Sequence, residues 1–186
     1  MHSIPFVHLM KDLTIKEREP FLQRHRTASL VIEEVADRPP SDFDGKTPFV
    51  LPNWWRPTPV HPGRKTRAPH PLHRYGSVVW LEKTRRNPFE NLITLGRAPN
   101  NDIRYPLEAL SKLHATFARS GERWHVQDNS SRNGTFVNDE PLAPGKLREL
   151  KDGDQVRFCP ELRARFFSAA ALFDFVALVG RMAPKD

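Results

Sequence analysis

The chain has 186 residues, a length that favours one domain of ordinary size with an extension over two large domains. Lys and Arg number 29 against 22 Asp and Glu, a net charge of +7 that favours acidic partners. The surplus is spread along the chain, with 12 basic and 8 acidic residues in 1–75 and 17 and 14 in 76–186. Because no separate basic tail stands out, a nucleic-acid partner is not expected.

Cysteine usage and the apolar runs predict a cytoplasmic protein. Cys159 is the only cysteine, which excludes an intrachain disulfide and fits a reducing compartment, and we expect its thiol to be packed and unreactive. The longest apolar run, near the C-terminus, has 15 residues and contains Asp174, whereas a span of the bilayer needs roughly 20. The first residues lack the pattern of a secretory signal. We therefore expect no membrane span.

Residues 1–38 are predicted to form an N-terminal segment of helix and strand. Thr14 and Glu17 have the spacing of a capping box. Pro20 disfavours a helix that starts so early, because a proline beyond the first turn removes a hydrogen bond. We therefore predict a helix from Glu19 to about His25, followed by a short strand in the run ASLVIEEV.

Residues 39–75 are predicted to be a proline-rich connector. Nine of the 18 prolines fall between positions 39 and 71, a density that opposes helices and central strands. Trp54 and Trp55 are more apolar than a solvated linker requires, so part of the connector is expected to lie against a folded surface. His61, His70 and His73 leave open a metal site, although no cysteine or acidic residue stands at a fitting spacing.

After Tyr75 the sequence pattern changes to short apolar or alternating runs separated by turn residues. Such runs predict an all-β, antiparallel sandwich or barrel over residues 76–167. Trp124 and Val126 alternate with polar neighbours and should share one face of a strand. The sequence KDGD at 151–154 predicts a hairpin turn. Residues 168–186 complete the chain as a C-terminal helix and tail, the helix being apolar on nearly all sides and expected to dock on the sandwich or on a partner.

Three polar segments fall between the predicted strands, and the strands do not explain them. They are residues 95–103 (LGRAPNNDI), 110–114 (LSKLH) and 128–138 (DNSSRNGTFVN). Because the loops of a sandwich gather at the ends of its sheets, all three could meet at one rim. The side chains brought there would be Arg97, Ser111, Lys112, Arg132 and Asn133.

This set of side chains is suited to a phosphate. Arg97 offers a planar fork of donors, Lys112 a compact positive charge and Ser111 a hydroxyl donor. Asn133 carries both a donor and an acceptor, which suits an extended peptide backbone. Gly96 and Gly134 allow tight turns beside these residues.

The motifs GR, NNDI, SKLH, SSRNGTFVN and LKDGDQVRF stand in the order and spacing of a known family. Residues 77–167 resemble a forkhead-associated (FHA) domain, a phosphothreonine-binding β-sandwich. The resemblance implies an eleven-stranded sandwich whose loops bind a phosphothreonine peptide, here with an N-terminal helical and extended arm and a C-terminal helix.

Residue by residue, the resemblance places the family's phosphate-contacting arginine and serine on Arg97 and Ser111, and its backbone-binding asparagine on Asn133. His114 matches the structural histidine that supports the loops, and Gly96 and Gly134 match the glycines that shape them. The two variable positions, Lys112 and Arg132, are both basic here, so neither opposes anion binding.

The sequence therefore predicts a module, not an enzyme, that reads phosphothreonine on partner proteins downstream of a Ser/Thr kinase. The partners would be the kinase or its substrates, and no cofactor is implied. No Ser, His and acid set with supporting motif context appears, nor a glycine-rich phosphate loop. Two alternatives stay open: a scaffold that binds partners regardless of phosphorylation, and a hydrolase that uses the connector histidines with a metal.

Overall fold

A computed structural model describes residues 3–12, 17–33 and 75–182. These residues form twelve strands and three helices. The strands are β1 Ser3–Pro5, β2 Ser29–Glu33, β3 Tyr75–Trp80, β4 Leu92–Gly96, β5 Ile103–Arg104, β6 Ala115–Ser120, β7 Arg123–Asp128, β8 Phe136–Val137, β9 Glu140–Pro141, β10 Leu147–Leu150, β11 Gln155–Cys159 and β12 Leu162–Phe167. The helices are α1 Phe6–Asp12, α2 Arg18–Arg24 and α3 Ala169–Met182.

The strands form two sheets that pack face to face. The seven-stranded sheet has the order β1-β3-β2-β12-β11-β8-β9, and the five-stranded sheet has the order β10-β7-β6-β4-β5. All pairs are antiparallel except β4 with β5. The core between the sheets includes Leu95, Phe117, Val126 and Phe158. Trp124 and Val126 are both buried, as the alternation in β7 predicted. The predicted β-sandwich is confirmed.

Strand β2 is buried on both faces. Leu30 and Ile32 contribute to the core between the sheets, whereas Val31 packs on the opposite face of the same sheet. A strand covered on both sides needs apolar residues at consecutive positions, which is why this run reads as continuously apolar instead of alternating.

The second face of the seven-stranded sheet is covered by the three helices. A second apolar cluster joins Val31, Val78, Trp80 and Phe167 of the sheet to residues of the helices, namely Phe6, Leu9, Phe21, Leu172, Val176 and Val179. The ring of His25 stacks on Trp80, with ring centroids 4.2 Å apart. The C-terminal helix thus docks on the sandwich.

The starts of α3 and α2 have local explanations. In α3, the Ser168 hydroxyl accepts a hydrogen bond from the Ala171 N–H at 3.3 Å, the usual pattern of a serine N-cap. In α2, Pro20 is the third helical residue, where the backbone N–H has no partner within the helix, so the proline is tolerated. Glu17 takes the N-cap position without a side-chain capping bond, and Thr14 lies outside the described residues.

Two details differ from the sequence predictions. The resemblance implies eleven strands, whereas the described residues contain twelve: ten lie between Tyr75 and Phe167, and the N-terminal segment adds β1 and β2 to the larger sheet. The turn at 151–154 is not a hairpin, since it links β10 of one sheet to β11 of the other. Gly153 takes a φ of +88° in this turn, and its carbonyl accepts from Arg165 at 3.1 Å.

The domain boundaries at 38, 75 and 167 stay predictions. The sheet topology adds that β2 lies between β3 and β12, inside the sandwich that the sequence placed at 76–167. Residues 39–74 of the predicted connector, which include Trp54 and Trp55, lie outside the described residues, and Tyr75 is the first residue of β3.

Candidate functional site

Backbone hydrogen bonds join the three predicted loops at one end of the sandwich. The Arg97 N–H donates to the Ser111 carbonyl at 3.1 Å, and the Ala98 N–H donates to the Lys112 carbonyl at 3.2 Å. The Asn129 N–H donates to the His114 carbonyl at 3.0 Å. We call this end of the sandwich the rim, formed by residues 96–104, 107–114 and 128–135.

Ser111 lies between two of these loops. Its Oγ accepts a hydrogen bond from the Arg132 N–H at 2.9 Å. Because a hydroxyl also carries one hydrogen to donate, Ser111 can still give that hydrogen to an oxyanion on the outside. The serine is half-buried, so its position is set by the protein while its hydroxyl stays accessible.

His114 is fully buried beneath Ser111 and links the loops. Its Nδ1 accepts the Ser111 N–H at 3.2 Å, so the ring proton is on Nε2, which lies 3.3 Å from the Gly134 carbonyl and donates to it. Burial lowers the pKa of His114, although the Gly134 carbonyl and the charge of Asp128 act in the opposite direction. The neutral ring is thus a brace between two loops and is not exposed to a ligand.

Positions 96 and 134 require glycine for different structural reasons. A Cβ at position 96 would lie 2.3 Å from the Lys112 carbonyl oxygen, so β4 can approach the next loop only without a side chain. Gly134 has a φ of +72°, a conformation that residues with a side chain rarely adopt. Both glycines therefore bring the loops together.

The basic side chains of the rim are turned to solvent. Arg97, Lys112 and Arg132 are exposed, and no carboxylate among the described residues lies within ion-pair distance of them. Asn133 is also exposed, and its Nδ2 donates to the Ala109 carbonyl at 2.8 Å. Its Oδ1 makes no hydrogen bond among the described residues and remains available as an acceptor.

Sequence reasoning missed the side chains that hold the loop after β4. Asn101 is buried, and its Nδ2 donates to the Ala98 carbonyl at 2.9 Å and to the Lys112 carbonyl at 2.7 Å. It therefore closes its own loop and joins it to the neighbouring one. The available signal was a polar pair, Asn101 and Asp102, directly before a strand with the buried Ile103.

Asp102 holds the same loop from its buried side. Its buried carboxylate accepts hydrogen bonds from Lys83, Thr84, Asn87 and Thr94, with a Lys83 Nζ distance of 3.0 Å. Burial raises the pKa of Asp102, but these hydrogen bonds outweigh it and hold the pKa well below its usual range. The carboxylate is therefore ionised and fixes the turn at 83–87 against the rim.

Asp128 has a similar position under the third loop. It accepts hydrogen bonds from the Ser131 N–H at 3.0 Å and the Thr135 hydroxyl at 2.7 Å. Burial raises its pKa, but the bonds from Ser131 and Thr135 outweigh that effect and lower the pKa overall. Thus each of the three loops is held by a buried polar residue, and the rim is preorganised.

Other candidate chemistry finds little support in the described residues. No group of three or more His, Cys, Asp or Glu side chains there could hold a metal ion, and His61, His70 and His73 fall outside them. Cys159 is fully buried, and burial raises the pKa of its thiol to about 12, so the predicted packed thiol is confirmed. Within the described ranges, no helix is long and apolar enough to cross a membrane.

Comparison with known proteins identifies the region that carries the rim. The FHA domain family model matches residues 93–159. The oxoglutarate dehydrogenase inhibitor of Corynebacterium jeikeium is 39% identical over 62 residues, covering 33% of this chain and 41% of that protein. The glycogen accumulation regulator GarA of Mycolicibacterium smegmatis is 39% identical over 62 residues, covering 33% and 37%. The chain thus spans about two fifths of the length of these relatives.

A solved structure from a study of phosphothreonine-dependent FHA domain interactions is 17% identical, covers 75% of this chain and 94% of that one, and has a TM-score of 0.44. The family match, at 93–159, includes Gly96 and Arg97 at the end of β4, Ser111 and His114 before β6, and Asn133 before β8. Residues 93–159 thus match the forkhead-associated domain family.

Proposed function

We propose that the rim binds phosphothreonine-containing peptides and that the protein acts as a phosphorylation-dependent interaction module. The observation that carries the proposal is the accessible Ser111 hydroxyl, surrounded by the exposed cations Arg97, Lys112 and Arg132 on preorganised loops. A phosphothreonine brings a charge of about −1.5 to −2 and three acceptor oxygens to such a site.

Each rim residue has a distinct part in the proposed binding. Arg97 donates its fork of N–H groups to phosphate oxygens, Ser111 adds its hydroxyl hydrogen, and Lys112 adds charge. Arg132 contributes a further cation at the edge. Asn133 uses Oδ1 as an acceptor for a peptide N–H while its Nδ2 stays bonded to Ala109.

The names of the relatives agree with a regulatory function, since one is an inhibitor of a dehydrogenase and the other a regulator of glycogen accumulation. We infer that this chain likewise acts by binding and not by catalysis, and that its partner is a Ser/Thr kinase or a kinase substrate. A cytoplasmic location, where such kinases modify their targets, belongs to the same proposal.

The direct test is a titration of the whole chain with a phosphothreonine peptide library, beside unphosphorylated and phosphoserine versions. Arg97→Ala should weaken phosphothreonine binding by at least about tenfold, because a charge-assisted hydrogen bond is worth roughly 1.5–3 kcal/mol. Arg123→Ala is the matched control, since Arg123 lies at the far end of β7 from the rim.

Unchanged affinity in Arg97→Ala, with an unchanged melting temperature, would contradict the proposal. Equal binding of all three libraries would instead favour the scaffold that ignores phosphorylation. Phosphatase treatment of a natural partner separates the same two functions, because only a phosphate reader loses its partner.

A further inference from the structure

Arg104 is a basic residue of the rim that the proposed phosphate site does not use. It lies on β5, between the buried residues Ile103 and Tyr105. Because side chains alternate along a strand, Ile103 and Tyr105 point into the core and Arg104 points to solvent. Arg104 is exposed accordingly.

The strand pairing brings Arg104 to the phosphate site. Strand β5 pairs in parallel with the end of β4, with Arg104 in register with Gly96, and the Tyr105 N–H donates to the Gly96 carbonyl at 3.2 Å. The Arg104 Nε lies 3.4 Å from the Arg97 carbonyl oxygen, a long hydrogen bond. This contact engages Nε only, so the two terminal nitrogens of the guanidinium stay available.

The exposed charge of the rim exceeds what one phosphate neutralises. Arg97, Arg104, Lys112 and Arg132 contribute four positive charges, and Glu108 is the exposed carboxylate on the loop at 107–110. The net exposed charge is therefore about +3, against about −1.5 to −2 for a phosphothreonine. At least about one positive charge is left without a counter-charge.

The buried carboxylates nearby do not supply that counter-charge. Asp102 is paired with Lys83 at 3.0 Å, and Asp128 is turned inward to Ser131 and Thr135. Among the described residues no carboxylate pairs with Arg104. Arg104 therefore adds a positive charge beside the Arg97 backbone that no carboxylate of the described residues balances, and a ligand with a second anion would supply the counter-charge.

We propose that Arg104 selects peptides that carry a second anionic group close to the phosphothreonine. The inference rests on the proposed function and specifies its substrate class, a phosphothreonine peptide with a flanking carboxylate or a second phosphate. Arg104 acts as a specificity residue in this scheme: its terminal nitrogens pair with the second anion while Arg97, Ser111 and Lys112 hold the first phosphate.

The test uses the whole chain and fluorescence anisotropy with matched phosphothreonine peptides. One peptide has alanine at every flanking position, a series places aspartate at each flank in turn, and a parallel series places phosphoserine there. Unphosphorylated versions of the aspartate peptides complete the set. The variants are Arg104→Ala and, as the control with equal loss of charge, Arg123→Ala at the opposite end of the domain.

The best acidic peptide should bind roughly two- to fivefold more tightly than the alanine peptide, as expected for an exposed arginine and carboxylate pair. Arg104→Ala should abolish this preference and leave the affinity for the alanine peptide within about twofold, whereas Arg123→Ala should keep the preference. A preference restricted to the phosphoserine series would identify a second phosphate, and one shared by both series a general anion, as the selected group.

Three results would overturn the inference while leaving the phosphothreonine function in place. They are equal binding of all phosphothreonine peptides by the unmodified chain, a preference that survives Arg104→Ala, and an equal loss for neutral and acidic peptides in Arg104→Ala. The last result would assign Arg104 to the first phosphate. Failure of every phosphothreonine peptide to bind better than its unphosphorylated version would instead overturn the proposed function, and this inference with it.

Discussion

His114 has to be neutral for the loops of the rim to keep their hydrogen bonds. A proton on Nδ1 would face the Ser111 N–H, so that two donors would meet and the bond would be lost. Burial keeps the pKa of His114 below its ordinary value of about 6.5, so the unfolded chain takes up this proton first as the pH falls. The stabilisation is therefore present above about pH 6.5 and is lost as the pH falls towards the folded-state pKa.

The corresponding prediction concerns His114→Gln. The free energy of unfolding of the original chain, from urea titrations between about pH 7.5 and 5, should decrease towards acid more steeply than that of the variant. The variant should also be the less stable protein at neutral pH, because the link to Gly134 is weakened. The other histidines are common to both proteins, so parallel pH curves would contradict the assigned role of His114.

The extent to which single residues were predictable depends on where their partners lie. Arg97, Ser111 and Asn133 stand in motifs whose spacing follows from the strands around them, and the structure places them on one rim. Asn101 and Asp102 act through groups at 83–94 and at 112, and no local pattern shows which carbonyls or hydroxyls they will meet. Their roles required the tertiary structure.

At the scale of elements, the closest approach in the rim is between the end of β4 and the loop before β6. Gly96→Ala would place a methyl group 2.3 Å from the Lys112 carbonyl oxygen and 2.9 Å from its carbonyl carbon, and both are backbone atoms. The two chains would separate, and the hydrogen bond between the Ala98 N–H and Lys112 would be lengthened or lost. We expect a loss of about 1–3 kcal/mol in the free energy of unfolding and a weaker phosphothreonine affinity.

Gly180→Ala is the matched control for this prediction. Gly180 lies in α3, and a Cβ there would meet no heavy atom within 4 Å. The same chemical change should therefore raise the free energy of unfolding, by up to about 1 kcal/mol, because alanine favours the helix. Urea titration of both variants measures the two effects, and a Gly96→Ala protein as stable as the original would show that the close approach is not required.

For the elements themselves, the sequence predicted most strands because their patterns are local. It also predicted a helix from Glu19 to about His25, which the structure places one residue earlier, at Arg18–Arg24. The turn at 151–154 was predicted as a hairpin because Asp and Gly favour a reversal of direction. A reversal can join two strands of one sheet or carry the chain from one sheet to the other, as it does here. The residues of the turn do not distinguish the two outcomes.

At the scale of the molecule, the helices and the sandwich share the larger sheet. Leu172 of α3 is fully buried in the cluster that contains Val31 of β2 and Val78 of β3. The same two strands supply Leu30 and Val79 to the core between the sheets. Loss of packing in the helical layer should therefore weaken the entire sandwich.

Leu172→Ala should lower the free energy of unfolding by about 2–5 kcal/mol in a single transition. Leu178→Ala, on the exposed side of the same helix, where Leu178 is 57% accessible, should change it by no more than about 0.5 kcal/mol. The coupling between the helical layer and the sandwich is tested by following two signals during unfolding. Circular dichroism reports the loss of helix, and chemical labelling of the buried Cys159 thiol reports the opening of the sandwich. Two separate transitions, with the helices lost first and Cys159 still protected, would show that the layers are independent.

The order of the strands carries a consequence for the time course of folding. Glu33 of β2 and Arg165 of β12 form an ion pair at 2.6 Å across neighbouring strands, although they stand 132 positions apart in the chain. At a synthesis rate of about 5–20 residues per second, β2 leaves the ribosome on the order of ten seconds before its partner β12 exists. The larger sheet can therefore close only after β12 has been synthesised, and until then the apolar β2 depends on other protection from aggregation.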